Sequence, residues 1–415
     1  MSSDDPAPIL DVDQQECRVL MRGGSKTFSA ASLLLPTDVR IAATGLYAFC
    51  RLADDAVDLA DDPRGALGAL RQRLDLIYAG TPAPIPADRE FAQVVARYRI
   101  PRPLPEALLE GFEWDAEGRR YETYEDLTAY GTRVAGTVGA MMALLMGTDD
   151  AVALARATDM GVAMQLTNIA RDVGEDARAG RLYLPLAWLR ESGIDADALV
   201  ANPGFSPALA GVVERLLAAA DVLYARAAVG IDALPARYRA AMHAARLLYA
   251  EIGRAVERQG LDSVSSRAVV GWSDKARVIA RAIRASSRRH VPDDSPALPA
   301  AQFLVTAAAG CGAAAVLPER RAYPWRRLEE RLVWTLELFE RLERKEREAA
   351  LLRPVRETVL ERTAEKIVEA SAPVEAMHEA PPWHRVEERI AWTLELFERL
   401  ERHEQHLAAS ATAAR

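Results

Sequence analysis

Asp54 and Asp58 stand four residues apart in "YAFCRLADDAVD" (Tyr47 to Asp58). Asp172 and Asp176 repeat that spacing in "QLTNIARDVGEDARAGRLYLP" (Gln165 to Pro185). On a helix, i and i+4 share a face, so each pair sets two carboxylates side by side. Like charges so placed cost roughly 0.2–0.5 kcal/mol even on a wet surface, and desolvation against an apolar face raises that cost. Both stretches are otherwise apolar at helical spacing. Leu46, Phe49, Ala53, Ala56 and Val57 surround the first, and Met160, Val162, Ala163, Leu166, Ile169, Ala170 and Val173 oppose the second. Gln165 and Asn168 extend the second polar stripe. A single D-x-x-x-D is ordinarily a solvated helix face; two on apolar helices indicate an oxygen-donor site. Oxygen ligands without His or Cys suit hard cations, and Mg²⁺ binds through one or two carboxylates, completing its shell with water and substrate phosphates. The expected cofactor is therefore Mg²⁺, with Mn²⁺ as the alternative, offsetting the carboxylates and recruiting a diphosphate. Arg51, Arg171 and Arg181 lie close in sequence for the remaining phosphate oxygens.

The elements that must position these residues are helices. Ala, Leu, Arg and Glu are abundant and alternating β-branched runs are nearly absent. Helical spacing predicts elements near 39–78, 104–115, 127–146, 151–176, 207–230, 235–260 and 273–289, and a further one ending near 317. The breaks hold Pro or Gly, as in "GTPAPIPAD", "RIPRPLP" and "NPGFSP". The reading is an all-α domain over 15–290, a disordered N-terminus over 1–14, a connecting segment over 291–324 and a helical extension over 325–408. The extension holds a duplicated amphipathic helix: residues 325–346 and 383–404 share "WTLELFERLER". It is expected to be a small bundle or coiled coil that docks an unknown protein partner.

Four ordered motifs resemble the squalene/phytoene synthase family: "GGSKTF" from Gly23, "YAFCRLADDAVD", "YGTRVAGTVG" from Tyr130, and "QLTNIARDVGEDARAGRLYLP". The third and fourth are most similar to bacterial phytoene synthases, and the resemblance covers roughly 15–290. It implies an isoprenoid-synthase-type helical bundle around a central cavity. It also implies head-to-head condensation of two geranylgeranyl diphosphates through prephytoene diphosphate to phytoene, in carotenoid biosynthesis. By that resemblance Asp54, Asp58, Asp172 and Asp176 match metal-binding aspartates, with Asn168 beside them and Asp55 next to the first pair. Ser25, Lys26, Tyr47, Arg51, Gln165, Asn168 and Arg171 match positions contacting diphosphate or metal, and Arg181 follows in the same motif. Phe28, Tyr130, Val134, Gly136 and Gly139 match cavity positions, although close helix packing explains the two glycines nearly as well. Tyr249 matches a late-helix tyrosine near the site. Gly24 and Gly131 depart from residues that relatives carry, without removing a metal ligand.

Several other classes are set aside. A formal net charge of −8 argues against a nucleic-acid binder. His243 is the only histidine before His290, which leaves a Ser/His/Asp hydrolase little to work with. NADPH is not expected, since "GCGAAA" from Gly310 lacks βαβ context. Cys17, Cys50 and Cys311 show neither paired nor metal-ligand spacing and read as reduced. No signal peptide or membrane span is expected. The protein is read as cytoplasmic, with transient contact at the inner membrane face, because phytoene is lipophilic. The rival readings are a C15-using dehydrosqualene or squalene synthase, and a catalytically silent relative serving as an assembly scaffold.

Overall fold

The computed structural model describes residues 12–24, 31–32, 34–60, 62–286 and 295–311. Among them every regular element is helical. Helix α1 spans Val12–Gly24, α2 Thr37–Asp58, α3 Pro63–Tyr78, α4 Pro86–Tyr98, α5 Pro103–Ala116 and α6 Tyr124–Gly131. A π-helical turn, Thr132–Gly136, joins α6 to α7, Thr137–Leu145. Then follow α8 Ala151–Arg178, α9 Leu186–Glu191, α10 Ala196–Ala201, α11 Pro207–Ala233, α12 Ala236–Arg258 and α13 Trp272–Ser286. A 3₁₀ turn, Pro299–Ala301, leads into α14, Gln302–Ala308.

Proline at the first helical turn, where its missing N–H is no loss, starts α3, α4, α5 and α11. Side-chain oxygens cap others. Asp150 accepts from the Ala153 amide at the start of α8, and Thr123 and Asp126 form a reciprocal capping box at α6. The run predicted over 39–78 is thus broken at Pro63 into α2 and α3, and that over 127–146 is interrupted by the π turn. Helices α4, α9 and α10 are additional to the predicted set, and α1 begins at Val12. Of the N-terminus read as disordered over 1–14, residues 12–14 are helical, with Asp13 accepting two hydrogen bonds from Arg89 at 2.5 and 2.6 Å, and 1–11 lie outside the described residues. The duplicated helix over 325–346 and 383–404 lies outside the described residues.

Helix α8 is the axis of the molecule, packing on α7, α11, α12 and the π turn. Its first half, with Leu154 and Ala155, joins a core shared with α2 to α5 and α7. Its second half, from Val162 to Val173, joins a second core built from α6 and α9 to α12. In α2, Val39, Ala42, Ala43, Leu46, Phe49, Ala53 and Val57 are buried at three- and four-residue intervals. Phe49 stacks on Phe91 of α4 with ring centroids 4.3 Å apart. Burying each such ring is worth about 1.5–3 kcal/mol, which holds the C-terminal end of α2 in place. The π turn and α7 both approach α8 unusually closely. A Cβ on Gly161 would lie 2.2 Å from the Ala135 carbonyl oxygen, and one on Gly139 would lie 2.2 Å from that of Ala157.

Charge is also buried at this axis. Arg156 and Asp159, both on α8, pair at 2.9 Å with fully buried side chains, and Arg226 of α11 reaches Asp159 at 2.9 Å. Arg156 also donates to the carbonyls of Ser295 and Pro296, and Arg226 to that of Pro296, so the segment before α14 is tied to α8. No described helix is long and apolar enough to cross a membrane.

Candidate active site

The two acidic motifs lie at the C-terminal ends of α2 and α8. At the end of α2, apolar packing consumes one face and leaves Arg51, Asp54, Asp55 and Asp58 on the other. Arg51 bridges Asp54 at 3.4 Å and Asp55 at 2.6 Å. Arg181, in the turn after α8, crosses 123 positions of sequence to donate to Asp58 at 2.7 Å. That bond brings the two motifs to one site. On α8, Arg171 donates to both oxygens of its neighbour Asp172 at 2.7 and 2.5 Å. Arg267 reaches the same carboxylate at 2.9 Å and Glu175 at 3.3 Å.

Arg267 is placed by a loop strapped onto α8. The Gly174 amide donates to the Ser263 carbonyl at 2.9 Å, and Arg178 donates to the Val264 carbonyl at 2.5 Å. Gly174 is required there, since a Cβ would sit 2.5 Å from the Val264 carbonyl oxygen.

Arginine therefore offsets part of the crowding, but not all of it. Burial, and then the neighbouring Asp58, push the Asp54 carboxyl up to about 6. Burial, and then Asp172, push Asp176 up to about 7. Asp176 makes no ion pair among the described residues. A site that holds two carboxylates close to protonation at neutral pH stores unmet demand for a cation.

A third carboxylate stands between the motifs. Asp115, next to last in α5, accepts from the Tyr130 hydroxyl at 2.9 Å and from the Tyr183 hydroxyl at 2.8 Å. Burial pushes it up to about 6. It raises Asp54 and Asp176 in turn, feels Asp58, and is drawn back by Arg181. Neither Asp115 nor Arg267 was among the residues singled out from the sequence. Each is an isolated charge in an otherwise ordinary segment, without the paired spacing that exposed the other four aspartates.

The remaining predicted residues divide into three groups. Tyr47 and Tyr249 face the site: burial pushes the Tyr47 hydroxyl up to about 12, with Arg51, Tyr249 and Asp54 acting on it. Tyr249 also acts on Arg171. Gln165 and Asn168 lie half-buried on α8, about two turns and one turn before Asp172 respectively. Tyr130 is buried with its hydroxyl on Asp115. Val134 meets Gly111 of α5, and Gly139 lies so close to Ala157 that a Cβ would fall 2.2 Å from its carbonyl oxygen, so packing alone accounts for that glycine. A Cβ on Gly136 would lie at ordinary contact distance, 3.6 Å, from Thr158 and Val162. Ser25, Lys26 and Phe28 lie outside the described residues. Cys50 is inert as a nucleophile, its thiol pushed up to about 12 by burial.

A family model described as squalene/phytoene synthase matches residues 21–274. Phytoene synthase of Rhodobacter capsulatus is 53% identical over 263 residues, covering 63% of this chain and 78% of the relative. A 15-cis-phytoene synthase of a Paracoccus species is 40% identical, over 59% of this chain and 82% of the relative. Among solved structures, a dehydrosqualene synthase in complex with ligand superposes with a TM-score of 0.60 at 29% identity, over 66% of this chain and 95% of its own. Squalene synthase HpnC of Alicyclobacillus acidocaldarius gives 0.56 at 28% identity, over 60% and 94%.

Proposed function

The chain belongs to the squalene/phytoene synthase family, whose members transfer prenyl groups, and on that premise we propose that it is a phytoene synthase. The reaction joins two geranylgeranyl diphosphates head to head, by way of prephytoene diphosphate, to phytoene in carotenoid biosynthesis. One observation carries the reaction class: two aspartate-bearing helix ends, far apart in sequence, meet at a site whose Asp54 and Asp176 lack full charge compensation. The choice of C20 substrate rests on the phytoene synthases of 53% and 40% identity.

The donor set fits Mg²⁺. It is oxygen-only, and carboxylates crowded enough to be raised towards neutrality favour a divalent ion. Among the described residues no three of His, Cys, Asp or Glu stand together as a ligand cluster. Mg²⁺ takes one or two carboxylates and completes its shell with phosphate oxygens and water. Asp54, Asp58, Asn168, Asp172 and Asp176 would hold it. When bound, it supplies Lewis acidity to the leaving diphosphate.

The chain's own groups do the rest. Arg51, Arg171 and Arg181, together with Arg267, now engage aspartates; each can instead donate charge-assisted hydrogen bonds to diphosphate oxygens as the aspartates turn to the ion. Tyr47, Tyr130 and Tyr249 offer ring faces to the allylic cation, and the apolar helices behind them exclude water until carbon–carbon bond formation. The aliphatic product leaves through contact with the cytoplasmic membrane face.

Incubation with farnesyl and with geranylgeranyl diphosphate, followed by product chromatography, tests the assignment. Phytoene is expected; C30 hydrocarbon alone would overturn the C20 reading. Asp54→Ala combined with Asp172→Ala should abolish turnover, and retained turnover would refute the site.

A further inference from the structure

Asp115 is not explained by the reading above. Its oxygens each accept a phenol, from Tyr130 at 2.9 Å and Tyr183 at 2.8 Å, so its side-chain partners are neutral donors and no arginine pairs with it among the described residues. Yet it sits within the field of Asp54, Asp58 and Asp176, where another negative charge is opposed. A clamp for two hydroxyls could be built from a neutral amide at lower electrostatic cost. The charge itself must therefore serve a purpose.

The rings it holds show what that purpose is. Tyr130 and Tyr183 stack with centroids 5.2 Å apart and 21° between planes. Tyr121 lies 5.1 Å from Tyr130 and 6.3 Å from Tyr183, its own hydroxyl buried without a partner. Burial and Asp115 hold the Tyr130 and Tyr183 hydroxyls protonated, so the phenols donate and the carboxylate carries the charge. A phenol donating to a carboxylate has a more electron-rich ring, and an electron-rich face attracts cations more strongly. A fixed negative charge in a buried site also stabilises positive charge without reorganisation.

We propose that Asp115 is a positioning residue for carbocation chemistry: it pins Tyr130 and Tyr183 by their hydroxyls, fixes the stacked rings beside the two aspartate motifs, and enriches their faces for the allylic cation. This rests on the reading that the chain ionises a prenyl diphosphate.

Asp115→Asn separates charge from geometry, because an amide can accept from one phenol and donate to the other. In the full chain with Mg²⁺ and geranylgeranyl diphosphate, kcat is expected to fall roughly thirtyfold, the scale of one desolvated cation–ring contact. KM and the half-saturating Mg²⁺ concentration should stay within about twofold, as for groups acting only in the transition state. A larger share of the diphosphate consumed should appear as prenyl alcohol, the product of water capture. Tyr183→Phe should act in the same direction, and the double variant should be no worse than the poorer single one. Wild-type kcat and product partition in Asp115→Asn would overturn the proposal, as would multiplicative losses in the double variant. A loss appearing only in the Mg²⁺ requirement would also overturn it, by making Asp115 a ligand. If Asp115→Asn does not fold, Tyr183→Phe and Tyr130→Phe carry the same partition test. Absence of any prenyl transfer by the wild-type chain would instead fail the parent reading, before a variant is made.

Discussion

Replacing Asp176 by Asn should stabilise the metal-free protein while destroying its function. Burial and Asp172 raise the Asp176 carboxyl from 3.8 to about 7. Three pKa units correspond to a ceiling of about 4 kcal/mol at 1.36 kcal/mol per unit. Asp176 is partly exposed, and solvent screening reduces the effect to about 1–2 kcal/mol. For a domain of this size that is roughly 3–6 °C in melting temperature. The sign follows from linkage. A carboxyl whose folded pKa is raised penalises the folded state fully above pH 7 or so, and the penalty fades as pH falls towards 4. Thermal unfolding in EDTA at pH 8 should therefore show Asp176→Asn melting above wild type, with the gap closing at pH 4.5. Added Mg²⁺ and inorganic diphosphate should raise the wild-type melting temperature more than that of the variant, narrowing or reversing the order. A variant that melts at or below wild type in EDTA at pH 8 would refute the reasoning. So would an advantage undiminished at pH 4.5.

Three further outcomes are expected. Gly161→Ala places a methyl 2.2 Å from the Ala135 carbonyl oxygen and should cost about 3 kcal/mol or more by overpacking; an unchanged urea midpoint would contradict the close approach of the π turn to α8. Asp159→Ala removes the buried carboxylate that Arg156 and Arg226 share and should cost about 3–5 kcal/mol, against less than 1 kcal/mol if the pair were dispensable. Removing residues 319–415, beyond the family match at 21–274, should leave prenyl transfer intact in a product assay, and loss of soluble folding would show that the tail completes the domain.

The parts of the site legible in the sequence were those written as repeated spacing. Asp54/Asp58 and Asp172/Asp176 announced themselves because four-residue intervals of like charge conflict with the apolar faces around them. Asp115, Tyr183 and Arg267 carry no such conflict. Each is a single polar residue whose meaning appears only once α5, the turn after α8 and the loop before α13 are brought together. In the fold, long periodic helices such as α8 and α11 were read close to their observed bounds. Helix α4 was missed because Pro86 and the prolines after Tyr98 read as a continuous break, although proline at the first turn is a start signal. The packing role of Gly139 was not separable from a cavity role, since small residues serve both until the neighbouring backbone is known.

The π-helical turn Thr132–Gly136 has a consequence for how this chain can vary. Such a turn holds one residue more than the α-turn it replaces. Its five residues turn through roughly the angle that one residue fewer covers in an α-helix, so a single deletion there restores ordinary helix and leaves Tyr130 on Asp115 and Gly139 against Ala157 nearly in phase. A deletion in the ordinary helix on either side would instead rotate one contact against the other by about 100°. Change in length between these two contacts is thereby confined to the π turn.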